Sequence, residues 1–131
     1  MVKETIAYTD YNGNERKEDY YFNFTEAEVM EMEMSINGGM AEMIQRIVAA
    51  QDAPTIIKTF KELVLKSYGQ KSLDGKRFIK TEALREEFAQ TEAYSILFMK
   101  LATDAEAASK FVNGIMPAKL MQQVAALPTS N

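Results

Sequence analysis

Three groups of residues in this chain could do chemistry. Carboxylates stand in close pairs at Glu86 and Glu87 and at Asp104 and Glu106, as general acid–base catalysis requires. Asp10, Asn12 and Asn14 in "DYNGNE" are spaced like oxygen ligands of a calcium loop. Lys66, Lys71, Lys76, Arg77 and Lys80, interleaved with Tyr68 and Phe78, form a basic run of the kind that meets phosphate. Against these stand two absences, since the chain has no histidine and no cysteine. The commonest general base, every His-containing triad, thiolate nucleophiles, disulfides and zinc-thiolate sites are thereby excluded.

Each group also has a plainer reading. Acidic residues at helix starts complement the helix macrodipole. The calcium spacing fails because the glycine is displaced to Gly13 and no glutamate holds the twelfth position; Asn12-Gly13 is a hairpin turn signal instead. The basic run sits in a chain of net charge -4 with a pI near 4.9, the wrong overall field for a nucleic-acid binder. No enzyme activity, cofactor or metal site is expected.

The elements that must position these residues follow from periodicity. Residues 2–24 read as a β-hairpin, with Val2, Ile6 and Tyr8 on one face of the first arm and Tyr20, Phe22 and Phe24 on one face of the second. A three-residue loop Asn12-Gly13-Asn14 would pair Ile6 with Tyr20 and Val2 with Phe24, keeping charge off the apolar face. Thr25 and Glu28 make a capping box, so "VMEMEMSI" is helical despite its strand-like alternation. Wound at 100° per residue, Val29, Met32 and Ile36 form one stripe and Ala27, Met30 and Met34 a second. Further helices are expected over "MAEMIQRIVAAQ", over "PTIIKTFKELVLKSY" up to Gly69, after the caps Thr81, Thr91 and Asp104, the last of these ending at Gly114, and after Pro117. Between them "QKSLDGKRFIK" turns around Asp74-Gly75, with a tiny hairpin as the alternative reading. The fold expected is mainly α, about six helices with an N-terminal β-hairpin, α+β by strict count. One domain spans 1–127, as hairpin 2–24 and helical body 25–127, with a tail at 128–131. No apolar run is long enough to span a membrane, and the polar first twenty residues offer no signal peptide.

Two features point to protein partners. Five of the nine methionines lie between Met30 and Met43, and methionine is over-used on surfaces that accept varied partners. Met30, Met34, Met40 and Met43 are the candidate protein-binding residues, with a core-filling role as the plainer reading of each. Charge is also segregated. Residues 1–52 carry 4 basic and 11 acidic side chains, and residues 53–85 carry 8 basic and 3 acidic. The candidate electrostatic contacts Lys71, Lys76, Arg77 and Lys80 are expected to meet the acidic N-terminal region, within one molecule or between two.

The stretches "YNGNERKEDYYFNFTEAEV", "IVAAQD", "SYGQKSLDGKRFIK" and "TEAYSILFMKLATDAEAASKFVNGIMP" resemble the tail assembly chaperones of long-tailed phages and prophages, over about residues 8–117. The resemblance implies a protein that coats the tape-measure protein, helps tail-tube subunits polymerise around it in the host cytoplasm, and is absent from the finished particle. It implies no catalytic residues. Many such proteins are made in two lengths by ribosomal frameshifting, and this chain would be the shorter. A structural virion component and a small nucleic-acid-binding regulator are the alternatives.

Overall fold

The structure is a computed structural model that describes residues 1–35 and 53–117, with side chains for 1–32 and 57–117. Four strands, β1 (Val2–Thr9), β2 (Glu15–Phe22), β3 (Tyr68–Lys71) and β4 (Phe78–Ile79), form one antiparallel sheet in the order β1-β2-β3-β4. Among the described residues five helices accompany it: α1 (Glu26–Ser35), α2 (Ala53–Ser67), α3 (Glu82–Ala89), α4 (Glu92–Thr103) and α5 (Ala105–Ile115). The expectation of a mainly α fold with about six helices is therefore corrected to α+β. The tiny hairpin, only an alternative reading of the Asp74-Gly75 turn, is present and joins the first hairpin in one sheet: β3 and β4 are four and two residues long, too short to show period-two alternation. The helices expected over "MAEMIQRIVAAQ" and after Pro117 lie outside the described residues.

The register of the first hairpin also differs from expectation. Val2 pairs with Phe22, Ile6 with Glu18 and Tyr8 with Arg16. The loop does have three residues, but they are Tyr11-Asn12-Gly13. Gly13 N–H bonds the Asp10 carbonyl at 3.0 Å and Asp10 N–H bonds the Asn14 carbonyl at 2.9 Å, with Gly13 at φ +82. This is a type I turn closed by a left-handed glycine, a geometry L-residues adopt poorly. Asp10 fixes it, because one carboxylate oxygen accepts the Asn12 and Asn14 N–H groups and the other pairs with Arg16 at 2.6 Å. The shift keeps the same residues inward but places Glu18 opposite Ile6. That charge is accommodated by hydrogen bonds: Tyr8 and Tyr20 both donate their hydroxyls to the Glu18 carboxylate. Charge avoidance was the wrong criterion where two tyrosines can satisfy a carboxylate.

The core lies between the inward sheet face and the helices. Phe22 is its centre, fully buried against Tyr68, Phe88 and Phe111, with ring centroids 5.8, 5.7 and 5.2 Å away. Tyr68 and Phe88 stack at 4.4 Å. Phe60, Leu63 and Val64 of α2, Leu97 and Leu101 of α4, and Ala108, Phe111, Val112 and Ile115 of α5 complete it. Helix starts follow the sequence: Thr81, Thr91 and Asp104 each accept a first-turn N–H. Two glycines do other work than expected. The α2 helix passes directly into β3 at Tyr68, so Gly69 lies in a strand. Helix α5 runs through Gly114 to Ile115.

Four carboxylates give the fold a pH signature. Asp10 is held below its ordinary range by Arg16, Glu18 by the Tyr8 hydroxyl, and Asp74 by the Ser72 hydroxyl. Desolvation pushes Glu28 up, but the hydrogen bonds from Lys80 and Thr25 and the Lys80 charge together outweigh it, and the net shift is downward. A carboxyl with a depressed folded pKa stabilises the fold above its unfolded pKa and loses that contribution as pH falls through the folded one. The urea midpoint is therefore expected to be flat from neutral pH down to about 5 and to fall below about pH 4, where free carboxyls titrate. An acid limb starting a full pH unit higher would contradict these assignments.

Candidate protein-binding surface

Helix α1 is seated by its first turn. Thr25 N–H donates to Glu28 Oε1 at 2.8 Å, and Glu28 N–H donates to Thr25 Oγ1 at 3.2 Å, so the capping box closes in both directions. Lys80, just beyond β4, ties this turn to the sheet. Its Nζ donates to the Asn23 carbonyl at 2.6 Å and to Glu28 Oε2 at 2.7 Å, 4.7 Å from the Phe24 ring centroid. Only 9% of the Lys80 side chain is exposed; desolvation lowers its pKa, with Glu28 acting against that shift.

This seating decides which face of α1 is free. Val29 is buried at 6% and Met32 packs half-buried against the core. On the opposite side Ala27 is exposed and Met30 is 70% exposed. Glu26 and Glu31 are exposed too, and i, i+4 spacing sets Glu26 beside Met30 and Ala27 beside Glu31. The free face is thus a small apolar patch rimmed by carboxylates. Met34 lies in α1 without a described side chain, and Met40 and Met43 lie outside the described residues.

The four basic candidates separate. Lys80 is the anchor just described. Lys71 lies 4.1 Å over the Tyr21 ring, an arrangement favourable for a cation. Lys76 and Arg77 are exposed in the β3–β4 turn, and among the described residues their side chains form no ion pair. Sequence reasoning passed over Leu73 in the same turn, whose side chain stands wholly in solvent. Its signal was an aliphatic residue between Ser72 and Asp74, where a turn needs none.

Replacing Lys80 with Met would leave the Asn23 carbonyl without this donor and Glu28 without its cation. The expected loss is about 1–2 kcal/mol, below the range for fully buried pairs because Glu28 keeps some contact with water. Hydrogen exchange of the α1 amides should speed up more than that of α4. Equal acceleration in both helices would mean that Lys80 does not specifically seat α1.

Among the described residues no group of carboxylates is placed to hold a metal ion, and no helix is long and apolar enough to cross a membrane. Asp10 is occupied in its turn, Asp104 caps α5, and Glu86 and Glu87 are exposed on α3. No curated protein and no solved structure matches the chain. A protein-family comparison does match, over residues 1–129, and on that match the chain belongs to the phage tail assembly chaperone family.

Proposed function

We propose that the chain is a non-catalytic assembly factor that binds the tape-measure protein in the host cytoplasm through the Met-rich surface beginning on α1, and so supports polymerisation of tail-tube subunits. The single observation that carries this reading is Met30, 70% exposed one residue from Val29 at 6%. A flexible thioether held in solvent on a seated helix suits a long client whose sequence varies along its length.

The test is co-expression with the tape-measure protein of the same phage, followed by affinity capture. A soluble complex is expected, and Met30→Asp should reduce recovery at least several-fold. Surface substitutions usually change stability within about 0.5 kcal/mol, so the variant should unfold with the parent. A tape-measure protein that remains insoluble and uncoupled would end this reading. Finding the chain in purified virions would favour a structural subunit instead.

A further inference from the structure

The tip of the β3–β4 hairpin and the outer face of α1 complement each other. Leu73 projects from a turn held by its own hydrogen bonds: Ser72 Oγ to Asp74 Oδ1 at 2.6 Å, Lys76 N–H to Asp74 Oδ1 at 3.0 Å, and Arg77 N–H to Ser72 Oγ at 3.0 Å. Ser72 N–H also bonds the Arg77 carbonyl at 2.9 Å. The one acid of the tip, Asp74, is engaged by the turn itself, so Lys71, Lys76 and Arg77 give the knob a positive collar. The α1 face offers the converse, Ala27 and Met30 between the exposed carboxylates of Glu26 and Glu31, neither in an ion pair among the described residues. Leu73 and Met30 are both exposed in the same molecule, so knob and patch do not satisfy each other within one chain.

We infer that Leu73 of one copy seats on the Ala27–Met30 patch of a second, with Lys76 and Arg77 against Glu26 and Glu31. Nucleic-acid phosphate would satisfy the cations but leave Leu73 in water, and it would meet a chain of net charge -4. The preformed turn lowers the ordering cost of docking. Methionine adapts to whatever it packs against, so the patch can take a neighbour's leucine and release it. The contact is small beside the roughly 1,200–2,000 Å² of a stable interface, so the association is weak and reversible. This inference rests on the client-face reading in one respect: if α1 is where the client binds, the neighbour's hairpin covers that face until the client displaces it.

Sedimentation velocity of the whole chain, without any client, tests the self-contact separately from client binding. The weight-average sedimentation coefficient should rise over a hundredfold range of concentration and fall back in high salt. Leu73→Asp should weaken association about tenfold or more, as should Lys76→Glu with Arg77→Glu, since like charges then face each other. Glu26→Lys with Glu31→Lys should do the same. Mixing the two charge-reversed variants should restore association, because each supplies the complement the other lacks. A wild-type chain that stays monomeric throughout would overturn the inference. So would charge-reversed variants that associate like wild type, or a mixture that does not recover.

Discussion

Phe22→Ala will be the most damaging single substitution in the described core. The side chain is 0% exposed and its ring contacts Tyr68, Phe88 and Phe111. Truncating a buried phenylalanine costs about 3–5 kcal/mol through lost transfer energy and the cavity left behind. Ring pairs add about 0.5–1.5 kcal/mol each beyond area. Against a total stability of about 5–15 kcal/mol for a domain, that is at least about a fifth of the fold's stability. Urea unfolding followed by circular dichroism should show the midpoint collapse. Phe98→Ala, at a half-buried site on α4, should cost clearly less. Equal losses at the two positions would mean that the core is not centred on the β2–β3 junction.

The second large effect is expected at Gly69. A Cβ there would lie 2.7 Å from the Phe78 ring and 2.9 Å from the Ile79 carbonyl oxygen. The ring can swing aside, but the carbonyl belongs to the strand paired with β3, so the hairpin itself must part. Gly69→Ala should cost about 1–3 kcal/mol, the usual range for overpacking, and Gly69→Val more. The effect should spread in one direction: Lys80 follows β4 directly, so displacing that strand withdraws the cation that seats α1. Hydrogen exchange should therefore quicken in β4 and α1 together while α4 stays protected. Loss confined to β3 and β4 would show that the anchor is independent of the hairpin.

These two positions also mark what could be read from the sequence. Phe22 was assigned inward because alternation in "DYYFNF" is a period-two signal that a β-strand must obey. The caps at Thr25, Thr81, Thr91 and Asp104 were readable because capping is local chemistry between neighbours. Gly69 was misread as a helix stop because its reason is tertiary, the approach of Phe78 and Ile79 across a sheet whose third and fourth strands are too short to announce themselves. The hairpin register failed for a related cause. Asp10, not the Asn-Gly pair alone, sets the loop, and the tyrosines that stabilise Glu18 become its neighbours only after folding.

At the surface, Met30 and the basic run stood out by composition, but their roles were not in the composition. Lys71, Lys76, Arg77 and Lys80 look alike in the sequence, yet one is a buried anchor, one lies over a ring and two are exposed with no ion pair among the described residues. Burial separates them, and burial depends on where β4 places each side chain. Leu73 carried a usable signal of its own, an aliphatic residue at the apex of a polar turn.

One contact bears on how the chain is made. Val2, at the start of β1, packs so closely on Gly114 that any side chain at position 114 would force Val2 to move. Phe24 N–H likewise bonds the Ile115 carbonyl at 2.9 Å. Strand β1 leaves the ribosome well before α5 and therefore waits for the last described helix before its packing can close. Long-range closure of this kind slows folding. Any nascent chain halted before α5 has emerged would display the Phe22 face uncovered, a period in which it is most exposed to the cell's own folding and degradation machinery.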